Sequence, residues 1–492
     1  MAAKATVAKG SAIATEHLLA SKVGIDAMKA GGNAFDAAVA ASFALGVVLP
    51  HLSGLGGDFF ALFYDSKRAK VRCLNGSGWA PSGCSLERIR SKGVEEMPTF
   101  GAQSVVIPGL VAGVEEMHRS YGRLEFGALL NSAVKLAEDG FPISPGLSRA
   151  VDTYMGSLPR DAKRAFGDGL GPNSVLKQGA LAERLREVAD GGSAEFYQGE
   201  AAEEMRALLE GEGVGVSRED FAFTPEWTEP IQIEYRGRQV FEVPPNSMGA
   251  AALMILRQLE EKEPPPADSL ERVRLVTEAT RVALSAKDRF LGDPRFVDVD
   301  LSRFLGSRER SKTSVSPGDT TYFAVADSEG NLLSCIQSLF HPFGSRLYLP
   351  KSGFFLNNRA SSFKFAGPNQ AAPRKRPVHT LSALLLSKRK GDIPYLAMGT
   401  SGGEMRPQLH ALFVSNVVDY SMDIEKALGY PRFVWNGYET EAEKGYRVEG
   451  DTGGLRMVDY PTRQGVAQGI ELTPLGKKAV CDIRGDGEPA AF

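Results

Sequence analysis

The sequence predicts an α+β protein, and three observations carry that expectation. Amphipathic and small-residue helical patterns fill the chain as far as Phe290. One uninterrupted apolar run, Phe59–Tyr64, follows the glycine cluster Gly54–Gly57 and has the length of a buried strand. From Thr320 onward the pattern turns to strands: Thr320–Ala326, a turn at Asp327–Asn331, then Leu332–Gln337.

In chain order, His17–Ala30 is an amphipathic helix closed by Gly31 and Gly32, and Phe35–Val48 is a second, alanine-rich one. Further helices are expected over Gly109–Tyr121, Phe126–Asp139, Leu181–Asp190 and Glu200–Glu212. Pro244–Ser247 leads into a helix over Ala250–Glu260, with Asn246 or Ser247 as its N-cap, and Pro264–Pro266 precedes another over Leu270–Phe290. Ser307–Asp319 is polar and charged apart from Val315 and one proline, which reads as an exposed, mobile linker. Strand patterns at Ser382–Leu386 and Pro394–Met398 precede GTSGG at Gly399–Gly403, and Gln408–Val418 is helical.

With 492 residues, 43% hydrophobic and 24% charged, the chain has an ordinary globular composition, and length alone would allow roughly three domains. A formal charge of −3 gives no global field for nucleic acid or anionic lipid. The short basic run Arg374–Arg376 reads as a solvated loop. Four cysteines with no CxxC spacing fit a reducing compartment. The N-terminal stretch lacks a secretory core, and the most apolar segment, Ala34–Pro50, contains Asp36 and is short for a bilayer, so the expected location is cytoplasmic.

Six histidines are scattered without HExxH or cysteine partners, which gives no metal chemistry. Gly54–Gly57 precedes its strand and lacks GxGxxG spacing, so it reads as a tight turn or close packing. GTSGG matches GxSxG with Ser401 in the nucleophile slot, but no histidine follows His410, and a serine hydrolase would lack its base. The same glycines, between a strand and a helix, present backbone N–H groups of the kind an oxyanion hole requires. Thr320 is explained by β-propensity alone. It has a second reading: were the chain cut before it, one residue would carry a hydroxyl and an α-amine of unperturbed pKa about 8, able to act as its base.

Several separated stretches, in order along nearly the whole chain, resemble the γ-glutamyltranspeptidases of the N-terminal-nucleophile (Ntn) hydrolase superfamily. They are Gly31–Asp65, Ile107–Gly113, Leu136–Phe141, Asp288–Pro294, Gly318–Asn331, Gly353–Asn358, Lys375–Pro377, Gly399–Gly403 and Pro431–Phe433. The resemblance implies a four-layer αββα sandwich made as a precursor. Autoproteolysis before Thr320 would leave a large chain, 1–319, and a small chain, 320–492, intertwined in one domain and acting on a small-molecule amide without cofactor or metal. Oligomeric state stays open.

Carried over by position, the resemblance makes Thr320 nucleophile and base, Gly402 and Gly403 the oxyanion hole, and Ser338 the hydroxyl that hydrogen-bonds the nucleophile. Relatives acting on glutathione hold the α-carboxylate with an arginine and a serine pair, and the α-ammonium with Asn, Gln and an acid. Here those positions are Ser77, then His379 and Thr380, then Phe340, Arg359 and Ser362. An arginine in place of ammonium-binding groups favours a carboxylate, so a glutaryl-type monoamide competes with a γ-glutamyl amide as substrate. The connection from Phe363 to Lys375 is short, leaving no lid over the pocket. Two alternatives remain: a catalytically silent binding module, and a serine hydrolase using Ser401.

Overall fold

The apolar run at Phe59–Tyr64 lies in a strand, Asp58–Asp65, buried at every position. A strand buried on both faces must be covered twice. Phe59, Ala61 and Phe63 belong to a core shared with the helices Leu18–Lys29 and Ala34–Val48. Phe60, Leu62 and Tyr64 belong to a different core, shared with strands of a second sheet.

The computed structural model describes every residue except 1, 2, 92, 168, 169, 312, 314, 317, 447–453 and 463. Two seven-stranded antiparallel sheets face each other. One runs Glu488–Ala491, Ala12–Thr15, Asp319–Ala326, Leu332–Phe340, Asp58–Asp65, Lys70–Gly76 and Glu226–Thr228. The other runs Lys4–Ala8, Gly476–Cys481, Ala467–Thr473, Pro394–Thr400, Leu384–Ser387, Arg238–Glu242 and Ile231–Tyr235. The helices Gly249–Glu260, Leu270–Phe290 and Arg406–Val418 pack on the outer face of this second sheet through Leu253, Val276 and Leu409. The four layers are therefore helix, sheet, sheet, helix, as the resemblance implies. Both sheets take strands from before and after Thr320.

Local chemistry fixes the first layer. Asn33 caps the alanine-rich helix in a capping box with Asp36, whose other oxygen accepts the amides of Arg123 and Leu124. The helix is buried on nearly every face, which its small side chains allow.

Some expectations need correction. The helix expected over Leu181–Asp190 runs Gly179–Gln198, because the chain kinks at Gly192 (φ 65°) and resumes its helical turns. The N-cap of Gly249–Glu260 is Met248. Asn246 instead donates to the Pro377 carbonyl, while the Ser247 hydroxyl donates to Leu381. The linker is exposed only over 308–311; Val315 is buried, and Lys312, Ser314 and Pro317 lie outside the described residues. Arg374–Arg376 is no solvated loop: Arg376 is buried, pairs with Glu226 and donates to the Ser77 carbonyl. Among the described residues, no helix is long and apolar enough to cross a membrane.

Gly56 and Gly57 are close-packing glycines. A Cβ on Gly56 would lie 2.0 Å from the Phe355 carbonyl oxygen, and one on Gly57 would lie 2.7 Å from that of Ser338. Gly56→Ala is therefore expected to destabilise the fold by about 1–3 kcal/mol, read as a lowered urea midpoint at unchanged slope.

Candidate active site

Thr320 is the second residue of the strand Asp319–Ala326, where the ladder shifts register: Asp319 pairs with Phe340, and Thr321 with Gln337. A bulge of this kind re-aims side chains at a strand end. Ser338 and Leu339 thus oppose Thr320 alone, and the Thr320 hydroxyl is fully buried among polar groups.

Its Oγ1 donates to the carbonyl oxygen of Asp319, the bond before it, at 2.5 Å, and lies 3.2 Å from Ser338 Oγ. Ser338 donates to the same Asp319 oxygen at 2.8 Å, oriented by the Phe340 amide, which donates to Ser338 Oγ at 2.7 Å. Phe340 makes that contact from a left-handed conformation (φ 88°). The Asp319–Thr320 carbonyl is therefore polarised by two hydroxyls, one adjoining the bond itself.

Across the junction, Gly402 and Gly403 follow the last residue, Thr400, of a strand in the other sheet, and their positive φ values (126° and 55°) suit glycine. A Cβ on Gly403 would lie 2.3 Å from the Gly318 nitrogen, so only glycine lets this turn approach the segment before Thr320. That segment is tied down: the Ser316 amide donates to Glu404 Oε2 at 2.7 Å, and Glu404 pairs with buried Lys287.

Sequence reasoning missed Arg406. This fully buried side chain donates from Nη2 to Thr320 Oγ1 at 2.9 Å, from Nε to the Thr400 carbonyl at 2.7 Å, and from Nη1 to the Thr380 carbonyl. Burial, then the neighbouring Arg359, pushes its guanidinium down to about 9. A signal existed: a cation at the first position of a helix opposes the helix dipole, so its placement there calls for another partner.

Asp58 was missed as well. Its carboxylate accepts from His379 Nε2 at 2.9 Å and from the Gly78 amide at 2.6 Å, and lies 3.7 Å from Arg359 Nε. An acid heading an apolar strand directly after glycines was its signal.

Arg359 is buried beneath the Phe340 ring, 4.2 Å from its centroid, and donates to Thr380 Oγ1 at 2.9 Å. Among the described residues its Nη2 has no hydrogen-bond partner. Burial pushes its guanidinium down to about 10, with Asp58 working the other way. Thr380 thus holds both arginines, one on its hydroxyl and one on its carbonyl. His379 is lowered to about 3 by burial and then by Arg359, so it is neutral at physiological pH.

Two expected site residues hydrogen-bond elsewhere. Ser77 donates to Asn75 at 2.7 Å within a buried cluster that includes Asn246. Ser362, half-buried at the end of the turn Arg359–Ser362, uses its carbonyl to accept from Asn369. A cavity of about 380 Å³ opens on the Asp319 side, lined by Gly318, Asp319, His341, Ser401, Gly402 and Arg149 among others. Ser401 Oγ accepts the Val466 amide, and His410 is taken by Glu242 at 2.6 Å, both buried. The serine-hydrolase alternative has no base within the described contacts.

Comparison with known proteins follows the same lines. The profile of the family described as gamma-glutamyltranspeptidase matches residues 20–492. The chain is 34% identical to the glutathione hydrolase-like YwrD proenzyme of Bacillus subtilis, over 98% of this chain and 99% of that one. It is 29% identical to the oxamate amidohydrolase proenzyme of Klebsiella pneumoniae, over 90% of this chain and 88% of that one. The crystal structure of a cephalosporin acylase from Bacillus halodurans superposes with a TM-score of 0.90 at 31% identity, covering 99% of this chain and 97% of that one.

Burial of neutral His379 makes a pH prediction. Its folded pKa, about 3, lies below the ordinary 6.5, so between these values the unfolded chain binds the extra proton and stability falls as pH falls. His379→Gln should flatten the stability–pH slope between about pH 6 and 4, by up to about 1.4 kcal/mol per unit, read by urea titration.

Proposed function

The chain belongs to the γ-glutamyltranspeptidase family of Ntn amidohydrolases, and from that premise we propose that it cuts its own Asp319–Thr320 bond and then uses Thr320 as nucleophile. The observation that carries this reading is the Thr320 hydroxyl hydrogen-bonded to the carbonyl of its own preceding peptide, which Ser338 also polarises. Attack of Oγ1 on the Asp319 carbonyl carbon forms the ester as the C–N bond breaks, and the hydroxyl proton ends on the departing Thr320 nitrogen. Water then hydrolyses the ester, leaving chains 1–319 and 320–492.

In the cut form, the Thr320 α-amine takes the hydroxyl proton while Oγ1 attacks an amide carbonyl, and returns it to the leaving amine. The Gly402 and Gly403 amides receive the oxyanion from the sheet opposite. Water or an amine then accepts the acyl group.

Substrate class is read from charge. The relatives named above are called glutathione hydrolase-like, an oxamate amidohydrolase and a cephalosporin acylase, so kinship leaves the acyl group open. Arg359, with its unpartnered Nη2, favours an acyl chain ending in a carboxylate: a glutaryl-type or γ-glutamyl amide. Thr380 and Asp58 hold that guanidinium in place, and His379 donates to Asp58. Phe340 covers it.

Intact-mass analysis tests the nucleophile: wild type should give two chains, the smaller beginning at Thr320, and Thr320→Ala one uncut chain without activity. A cleaved, active Thr320→Ala protein would sink the reading. For the substrate, Arg359→Gln should lower kcat/KM for glutaryl anilide by about 10–100-fold, the worth of a charge-assisted hydrogen bond, while changing an uncharged acyl anilide little.

A further inference from the structure

Arg406 has no counterpart in the roles assigned above, yet it is the one cation in hydrogen-bond contact with Thr320 Oγ1 among the described residues. We propose that Arg406 is a catalytic residue: its N–H stabilises negative charge growing on Thr320 Oγ1, and its positive charge keeps the liberated Thr320 α-amine unprotonated. The proposal rests on Thr320 being the nucleophile.

Its geometry is over-determined. Nε and Nη1 are spent on the Thr400 and Thr380 carbonyls, one at the end of a strand and the other beside Arg359, so Nη2 reaches Oγ1 from a fixed fork. A guanidinium donates and never accepts, so it occupies an Oγ1 lone pair and leaves the hydroxyl proton directed elsewhere, at present toward the Asp319 carbonyl. As Oγ1 loses its proton to the amine, and before its electron pair is fully committed to the acyl carbon, the same N–H meets an oxygen of greater negative character. The contact is therefore stronger along the reaction than before it, which is the condition for lowering a barrier.

The charge acts on the amine as well. Thr320 N lies on the same residue, and a like charge within a few ångströms disfavours the ammonium form. The charged groups around the guanidinium are Arg359 with Asp58, Glu242 with His410, and Asp319; His379 beside Arg359 is neutral. Burial raises the Glu242 carboxyl. Cleavage turns Asp319 into a free chain end, so the nearest acid loses its covalent tether to Thr320. Nucleophile activation beside a buried cation replaces the histidine that this site does not use.

Arg406→Gln and Arg406→Lys, prepared as the full chain, test the proposal by intact mass, circular dichroism and the pH dependence of kcat/KM. Arg406→Gln is expected to lower kcat/KM by about 100-fold and to move the acid limb up by about one pH unit. Arg406→Lys keeps the charge and loses the fork, so its rate should fall by about tenfold with the limb unmoved. A folded but uncut Arg406→Gln supports the proposal, and the limb is then read on the lysine variant. Should Arg406→Gln fail to fold, a wild-type rate for Arg406→Lys overturns the proposal and a lowered rate with an unmoved limb supports it. A cut Arg406→Gln enzyme with wild-type rate and limb overturns the proposal alone, provided that Thr320→Ala stays uncut and inactive. A cut, active Thr320→Ala removes the premise instead.

Discussion

Two buried guanidiniums at the junction of the sheets organise this site. Arg359 and Arg406 are both fully buried, and both are fixed by Thr380. Removing two such cations from water is costly, and among the described residues only Arg359 has an acid within ion-pair reach, Asp58 at 3.7 Å. The lowered pKa of each guanidinium records that cost. Buried charge contributes little to stability, so a pair of like charges held at one point is better explained by what it faces: Thr320 on one side and an unfilled hydrogen-bond position on the other.

The fold supplies the stiffness that this arrangement demands. Thr320 comes from one sheet and Arg406 from the strand-to-helix turn of the other, so their 2.9 Å contact depends on how the sheets pack. The inter-sheet core of Phe60, Leu62, Tyr322, Ile336, Leu385 and Ala397 sets that spacing. Packing at the density of a solid core resists shifts of even a methylene. Gly56, Gly57 and Gly403 permit three backbone approaches that a side chain would block.

Much of the frame was legible in the sequence because it is written in local signals. The helices Phe126–Asp139 and Leu270–Phe290 stand where periodicity places them. Strands at and beside the sheet edges were not seen: the edge strand Lys4–Ala8 is short, and Ala12–Thr15, one place in from an edge, carries no alternation. Thr320, Ser338, Gly402 and Gly403 were found through resemblance, and the structure brings them to one junction. Arg406 and Asp58 were not, since their roles arise from contacts 86 and 321 residues distant in sequence. No window of sequence holds both partners of such a contact. Ser77 and Ser362 were carried over by position, but position transfers a place in the fold and not the direction of a side chain.

The charge argument joins processing to substrate choice. Before the cut, the carbonyl of Asp319 takes hydrogen bonds from Thr320 and Ser338, and Glu404 anchors Ser316 of the same segment. In the proposed reading, that peptide is the first amide that the site acts on, and its carbonyl stands where a substrate carbonyl will. Its departure opens the side on which Gly318 and Asp319 now line the cavity. What enters next meets Arg359 with its Nη2 free of a hydrogen-bond partner among the described residues. A carboxylate arriving there neutralises one of the two cations and so eases the ammonium form of Thr320, which works against catalysis. Arg406 offsets this, because its charge stays on Oγ1 whether Arg359 is paired or not. Two arginines thus separate two demands that one could not meet: Arg359 answers to the substrate, and Arg406 to the nucleophile.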